Sequence, residues 1–94
     1  MIISKTPLRV SFFGGGTDIP SFYKYNKYGS VISTSINKYI YVSVKKHSEL
    51  FVEKFRLNYS ETEIVKSKNK IKNQIIKQKL NYMNIDDRLY ISTI

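Results

Sequence analysis

Apolar and polar positions along this chain follow two periods, and each change of period marks a change of element. From Ile2 to Phe13 they alternate loosely and close in Val10-Ser11-Phe12-Phe13 before three glycines, which predicts a strand. Pro7 lies inside it and has no N–H to donate, so such a strand belongs at a sheet edge or a bulge. Asp18 can cap a helix over about Ile19 to Tyr28, with Pro20 in its first turn and Gly29 as its stop. Two strands are predicted next, over Ser30 to Asn37 and Lys38 to Val44. In the second, Ile40, Val42 and Val44 share one face and Tyr39, Tyr41 and Ser43 the other. Lys45 to Glu49 reads as a turn, Leu50 to Leu57 as a further strand rich in Phe and Val, and Asn58 to Glu63 as a polar loop. Ile71, Ile75, Ile76, Leu80 and Met83 then recur near helical spacing, predicting an amphipathic helix from about Lys70 to Met83 whose stripe belongs to the core. After a turn at Asn84 to Asp87, Leu89 to Ile94 is a last strand.

The order strand, helix, strand, strand, strand, helix, strand predicts an α+β fold with one mixed sheet covered by helices. The final strand runs to the last residue without turn residues. The chain therefore reads as one partial domain, 1–94, cut inside a strand, whose open edge could pair with a second copy to give a homo-oligomer.

Composition narrows the class. With 41% hydrophobic and 24% charged residues the chain is globular rather than disordered. It has no cysteine, so disulfides and cysteine-based metal sites are excluded and no metal site is expected, which suits the cytoplasm. The N-terminus carries Lys5, Pro7 and Arg9 in place of the apolar centre of a signal peptide. No apolar run approaches the roughly 20 residues of a membrane span, and no membrane partner is expected.

Net charge adds a second theme. Sixteen basic and seven acidic side chains give +9, and between Ile64 and Ile85 six lysines (66, 68, 70, 72, 77 and 79) occur without one acid. Such a field attracts nucleic acid or a phosphorylated metabolite. The lysine run has neither arginines nor an aromatic platform for bases, which favours a solvated helix face over a basic nucleic-acid-binding module, kept as the alternative. His47, the single histidine, stands between Lys45-Lys46 and Ser48 and reads as a surface residue. The eight tyrosines read as packing and interface residues.

Candidate chemistry lies in Thr6-Pro7-Leu8-Arg9-Val10-Ser11-Phe12-Phe13-Gly14-Gly15-Gly16-Thr17-Asp18. A strand fixes Arg9, whose guanidinium keeps its proton. Three glycines permit close approach of backbone to a ligand, and Thr17 and Asp18 bring a hydroxyl and a carboxylate suited to sugar hydroxyl groups. A dinucleotide-binding loop would need glycine at position 19, where Ile19 stands, and a Walker loop would need Gly-Lys before Ser or Thr. A plain glycine turn with Asp18 as a helix cap remains open on these residues alone.

The full run resembles the first motif of the GHMP kinases: Pro-x-Arg/Lys, a short apolar strand, a glycine turn and Thr-Asp. The triple glycine is most similar to the branch of D-glycero-D-manno-heptose 7-phosphate kinases and related sugar kinases. The tracts Ile36-Asn37-Lys38-Tyr39-Ile40-Tyr41-Val42 and Asn58-Tyr59-Ser60-Glu61-Thr62-Glu63 resemble that branch too, so the likeness extends over nearly the whole chain.

The resemblance implies the first part of the family's N-terminal domain, a ribosomal-protein-like two-layer α/β sandwich. It implies Arg9 as the catalytic residue beside the phosphoryl-accepting hydroxyl. Gly14, Gly15, Gly16, Thr17 and Asp18 would form the wall and grip of a phosphorylated-sugar pocket. The full-length family uses ATP and Mg²⁺. Its Gly-Leu-Gly-Ser-Ser loop, which holds the ATP phosphates at a helix N-terminus, is expected just beyond a strand like Leu89 to Ile94. All four glycines here precede position 30, so the groups for ATP and Mg²⁺ are absent, and the chain alone is expected to be inactive as a kinase.

Overall fold

A computed structural model describes residues 1–94. Five strands and two helices follow in the order β1 (Ile2–Phe13), α1 (Pro20–Asn26), β2 (Ile32–Lys46), β3 (Phe55–Asn58), β4 (Thr62–Val65), α2 (Gln74–Tyr82) and β5 (Leu89–Thr93), with a 3-10 turn at Lys68–Lys70 before α2. The strands form one mixed sheet in the order β1-β2-β5-β3-β4, and the fold class is α+β. β1, which holds Pro7, is a terminal strand of the sheet, where a residue without an N–H is tolerated.

Several boundaries differ from the sequence reading. Ser30 to Val44 is not two strands: β2 is one strand of 15 residues reaching Lys46, because nothing between Asn37 and Lys38 breaks the extended backbone. The strand expected over Leu50 to Leu57 is confined to β3, its first half being bends. The polar Asn58–Glu63 segment is mostly a hairpin closure. Tyr59 N–H donates to Glu61 O at 2.9 Å, Thr62 Oγ1 to Asn58 Oδ1 at 2.6 Å, and β4 pairs antiparallel with β3. Leu89 to Ile94 offers no open edge, since β5 lies between β2, to which it is antiparallel, and β3, to which it is parallel. Strand pairing of a second copy would need another strand.

The chain divides into two compact units, Met1–Lys5 with Tyr41–Ile94, and Thr6–Ile40. The first has the hydrophobic core. Phe55, Leu57 and Ile91 from the sheet meet Ile71 and Leu80 beneath α2, with Val42 and Val44 packed alongside. Each buried aliphatic or aromatic side chain of this kind stabilises the fold by about 1.5–3 kcal/mol. Period-two alternation in β2, β3 and β5 turns these residues toward α2 and places Ser43, Lys45, Arg56 and Tyr90 on the opposite face. The expected helical stripe is narrower than read. Ile71, Ile76 and Leu80 reach the core, whereas Ile75 and Met83 are 74% and 63% exposed. A helix of only nine residues covers the sheet with a single row.

α2 starts on two oxygen acceptors. Asn73 Oδ1 accepts from Ile76 N–H at 3.2 Å, a side-chain cap. Glu63, buried in β4, accepts from Lys72 N–H at 2.8 Å and Asn73 N–H at 3.0 Å, and also from the Tyr59 hydroxyl. In the second unit α1 buries no residue, so of the two helices only α2 covers sheet with buried side chains.

Candidate functional site

The second unit contains every candidate from the sequence motif. Arg9 lies on β1, whose alternation puts Arg9, Ser11 and Phe13 on one face. After Phe13 the chain enters Gly14 with φ +79°, a conformation that L side chains rarely adopt. A methyl group there would also stand 1.9 Å from the Ser30 carbonyl oxygen. Gly14 is therefore glycine for reasons of the fold.

Thr17 locks the loop. Its N–H donates to Gly14 O at 3.0 Å, and its Oγ1 to Gly14 O at 2.8 Å and Ser30 O at 3.0 Å. With its proton shared between two carbonyls, the hydroxyl can meet a ligand only as an acceptor. Its backbone oxygen and side chain also press on Gly29, where a Cβ would lie 2.3 Å from Thr17 O. Gly29 thus serves this approach and does not stop the helix. α1 ends earlier, at Asn26, with Lys27 at φ +66° as its C-cap.

Gly15 and Gly16 are different. A Cβ on Gly15 would make ordinary contact with Ser11 Cβ at 3.5 Å, and one on Gly16 would meet nothing within 4 Å. Neither has a positive φ. The fold does not require glycine at either position. The Gly15–Ser11 approach sets the loop against Ser11, which shares its β1 face with Arg9 by alternation.

Asp18 does not cap α1. The N-cap is Ile19, which makes no side-chain cap bond, and Phe22 and Tyr23 N–H donate to the Ile19 carbonyl. Because α1 begins two residues beyond Asp18, the carboxylate is free of the capping role and solvent-exposed. Arg9 is exposed as well. The structure thus joins Gly14 and Thr17 directly, sets Gly15 against Ser11 of β1, and leaves Gly16 and Asp18 open.

Sequence reasoning missed a polar cluster in the first unit. His47 is not a surface residue; it is 7% exposed. Its Nε2 lies 3.1 Å from Glu53 Oε1, and its ring stacks on Phe51 with centroids 4.8 Å apart. The Arg88 guanidinium donates through Nη2 to the carbonyls of Ser48 at 3.2 Å, Glu53 at 2.7 Å and Phe51, fixing the 48–53 loop over His47. A hydrogen bond from backbone and another with His47 hold the Glu53 carboxyl below its ordinary value, although burial opposes them. The signal available was the apolar run Leu50-Phe51-Val52 within a polar stretch.

The N-terminus of α2 does not fit an ATP-phosphate cradle. The N–H groups of Lys72 and Asn73 that would face a phosphate already serve the Glu63 carboxylate. Most lysines of the basic run are solvent-exposed, and Lys77 Nζ donates to Asn69 O at 3.1 Å. No helix is long and apolar enough to cross a membrane.

On sequence, no family model and no curated protein matches the chain. Its fold is similar to that in the crystal structure of a D-glycero-D-manno-heptose 1-phosphate kinase from Bacteriodes thetaiotaomicron, with a TM-score of 0.70 and 17% identity. The likeness covers 98% of this chain and 33% of that one, so the chain spans about a third of the kinase's length.

Proposed function

We propose that this chain is the substrate-binding N-terminal portion of a GHMP-type sugar kinase, acting on a phosphorylated sugar of the heptose 7-phosphate kind. One observation carries the reading: Gly15 and Gly16 lie in a loop pinned by Thr17, yet neither needs to be glycine for folding. A ligand drawn close to the backbone gives them a reason to lack side chains. The fold likeness to a heptose-phosphate kinase agrees with that ligand class.

In this reading Asp18 accepts hydrogen bonds from sugar hydroxyls, which an exposed carboxylate outside any cap can do. The Thr17 oxygen adds an acceptor, and the loop backbone shapes the wall. Arg9 places a permanent positive charge near the reacting hydroxyl, favouring the charge that develops there. The chain supplies positioning. ATP and Mg²⁺ would be held by parts of the kinase outside these residues, and this chain alone transfers no phosphoryl group. The cytoplasmic setting belongs to the same proposal.

Calorimetric titration of the chain with D-glycero-D-manno-heptose 7-phosphate tests the reading. Saturable binding that weakens about tenfold in Asp18→Asn, the scale of one charge-assisted hydrogen bond, is expected. Equal affinity in wild type and Asp18→Asn would overturn it.

A further inference from the structure

The sheet face turned away from α2 in the first unit carries a second concentration of chemistry, independent of the glycine loop. Strand register sets it out. Lys45 of β2 and Arg56 of β3 both lie opposite Tyr90 of β5, so a cation, a phenol ring and a second cation form one row across three strands. Lys45 Nζ is 5.1 Å from the Tyr90 ring centroid and Arg56 Cζ is 5.8 Å from it, both within cation–π range. The row lines a hollow of about 530 Å³, with Ser43 beside it and His47 and Phe51 at the rim. That volume suits a small metabolite.

Charge in the hollow is unbalanced. No Asp or Glu lines it, while Lys45, Lys46 and Arg56 do. The carboxylate that Arg56 influences, Glu53, is already engaged by His47. Arg56 Nε is buried and has no hydrogen-bond partner. A permanent cation whose buried N–H finds no acceptor within the fold is costly, and an oxyanion in the hollow that the Arg56 side chain lines would offset its charge. The Arg56 guanidinium fork matches two oxygens of a phosphate, Lys45 adds positive charge across Tyr90, and the Tyr90 and Phe51 rings offer apolar wall for carbon.

We infer that the Lys45–Tyr90–Arg56 row is an anion site for a small phosphate monoester, built wholly from residues of the first unit and using none of residues 9–18. Its occupant is a small molecule rather than a nucleic-acid strand, because the hollow has room for one metabolite and its cations, unopposed by any carboxylate, favour an anion there.

Amide NMR titration of the chain with inorganic phosphate, against chloride at matched ionic strength, is the test. Saturable shifts centred on Lys45, His47, Arg56 and Tyr90 are expected. Affinity should fall about tenfold in Arg56→Gln and also in Lys45→Gln, whose exposed side chain makes misfolding no explanation, while Lys70→Gln should bind as wild type. Linear, unsaturated shifts, or equal losses in all three variants, would overturn the site. Tighter, Arg56-dependent binding of a single-stranded oligonucleotide than of phosphate would overturn the ligand class. Neither outcome bears on the glycine loop, whose amides report separately.

Discussion

The Thr17 hydroxyl donates to the Ser30 carbonyl at 3.0 Å across 13 residues of sequence. With its second bond to Gly14 O, it ties the glycine loop to the entrance of β2. Thr17→Val keeps the shape and removes the donor. It should lower stability by about 1 kcal/mol, whereas Thr17→Ser should recover most of the loss. Urea midpoints of the three proteins check this, and equal midpoints would refute the tie.

The Glu63–Tyr59 pair gives the fold a pH signature. Burial alone would raise the Glu63 carboxyl, but hydrogen bonds from Tyr59, Lys72 N–H and Asn73 N–H outweigh it and hold the group below its usual value of 4.5. A depressed carboxyl contributes stability above its unfolded value and loses it as pH falls through the folded one. The same bond pushes the Tyr59 phenol from 10.0 to about 12. That contribution is complete below pH 10 and disappears as pH rises through about 12. Denaturation midpoints followed against pH should fall on the acid side below 4.5 and on the alkaline side between those phenol values. Glu63→Gln should flatten both limbs.

Arg88 is the clasp of the 48–53 loop. Lysine would keep the charge, but its side chain is one bond shorter and would not place its nitrogen where Arg88 Nη2 meets three carbonyls. Arg88→Lys should speed amide hydrogen exchange across residues 48–53, with little change at Leu57 and Ile91 in the core. Unchanged exchange in the loop would show that other contacts hold it.

Much of this structure was legible because local and tertiary preferences agreed. Pro7 marked an edge strand, Val42 and Val44 shared the core face, and Leu80 fell on the buried row. The failures share a cause in long-range packing. β4 escaped notice because Thr62-Glu63 looks polar, and only its tie to the start of α2 explains a buried carboxylate. His47 looked exposed among lysines because its cover, Phe51, is brought over it by Arg88, far along the sequence. The triple glycine was visible at once, but its division into a glycine the fold needs, Gly14, and two it does not, Gly15 and Gly16, needed the position of Ser30.

That division supplies the most direct measurement. Gly16→Ala adds one methyl group in open space, at a residue without positive φ. Stability should stay within about 0.5 kcal/mol of wild type or rise slightly. Heptose 7-phosphate affinity, measured on the same samples, should fall at least about tenfold as the methyl enters the ligand's space. A Gly16→Ala chain equally stable and binding the sugar phosphate as tightly as wild type would contradict the assignment of this loop as the sugar site.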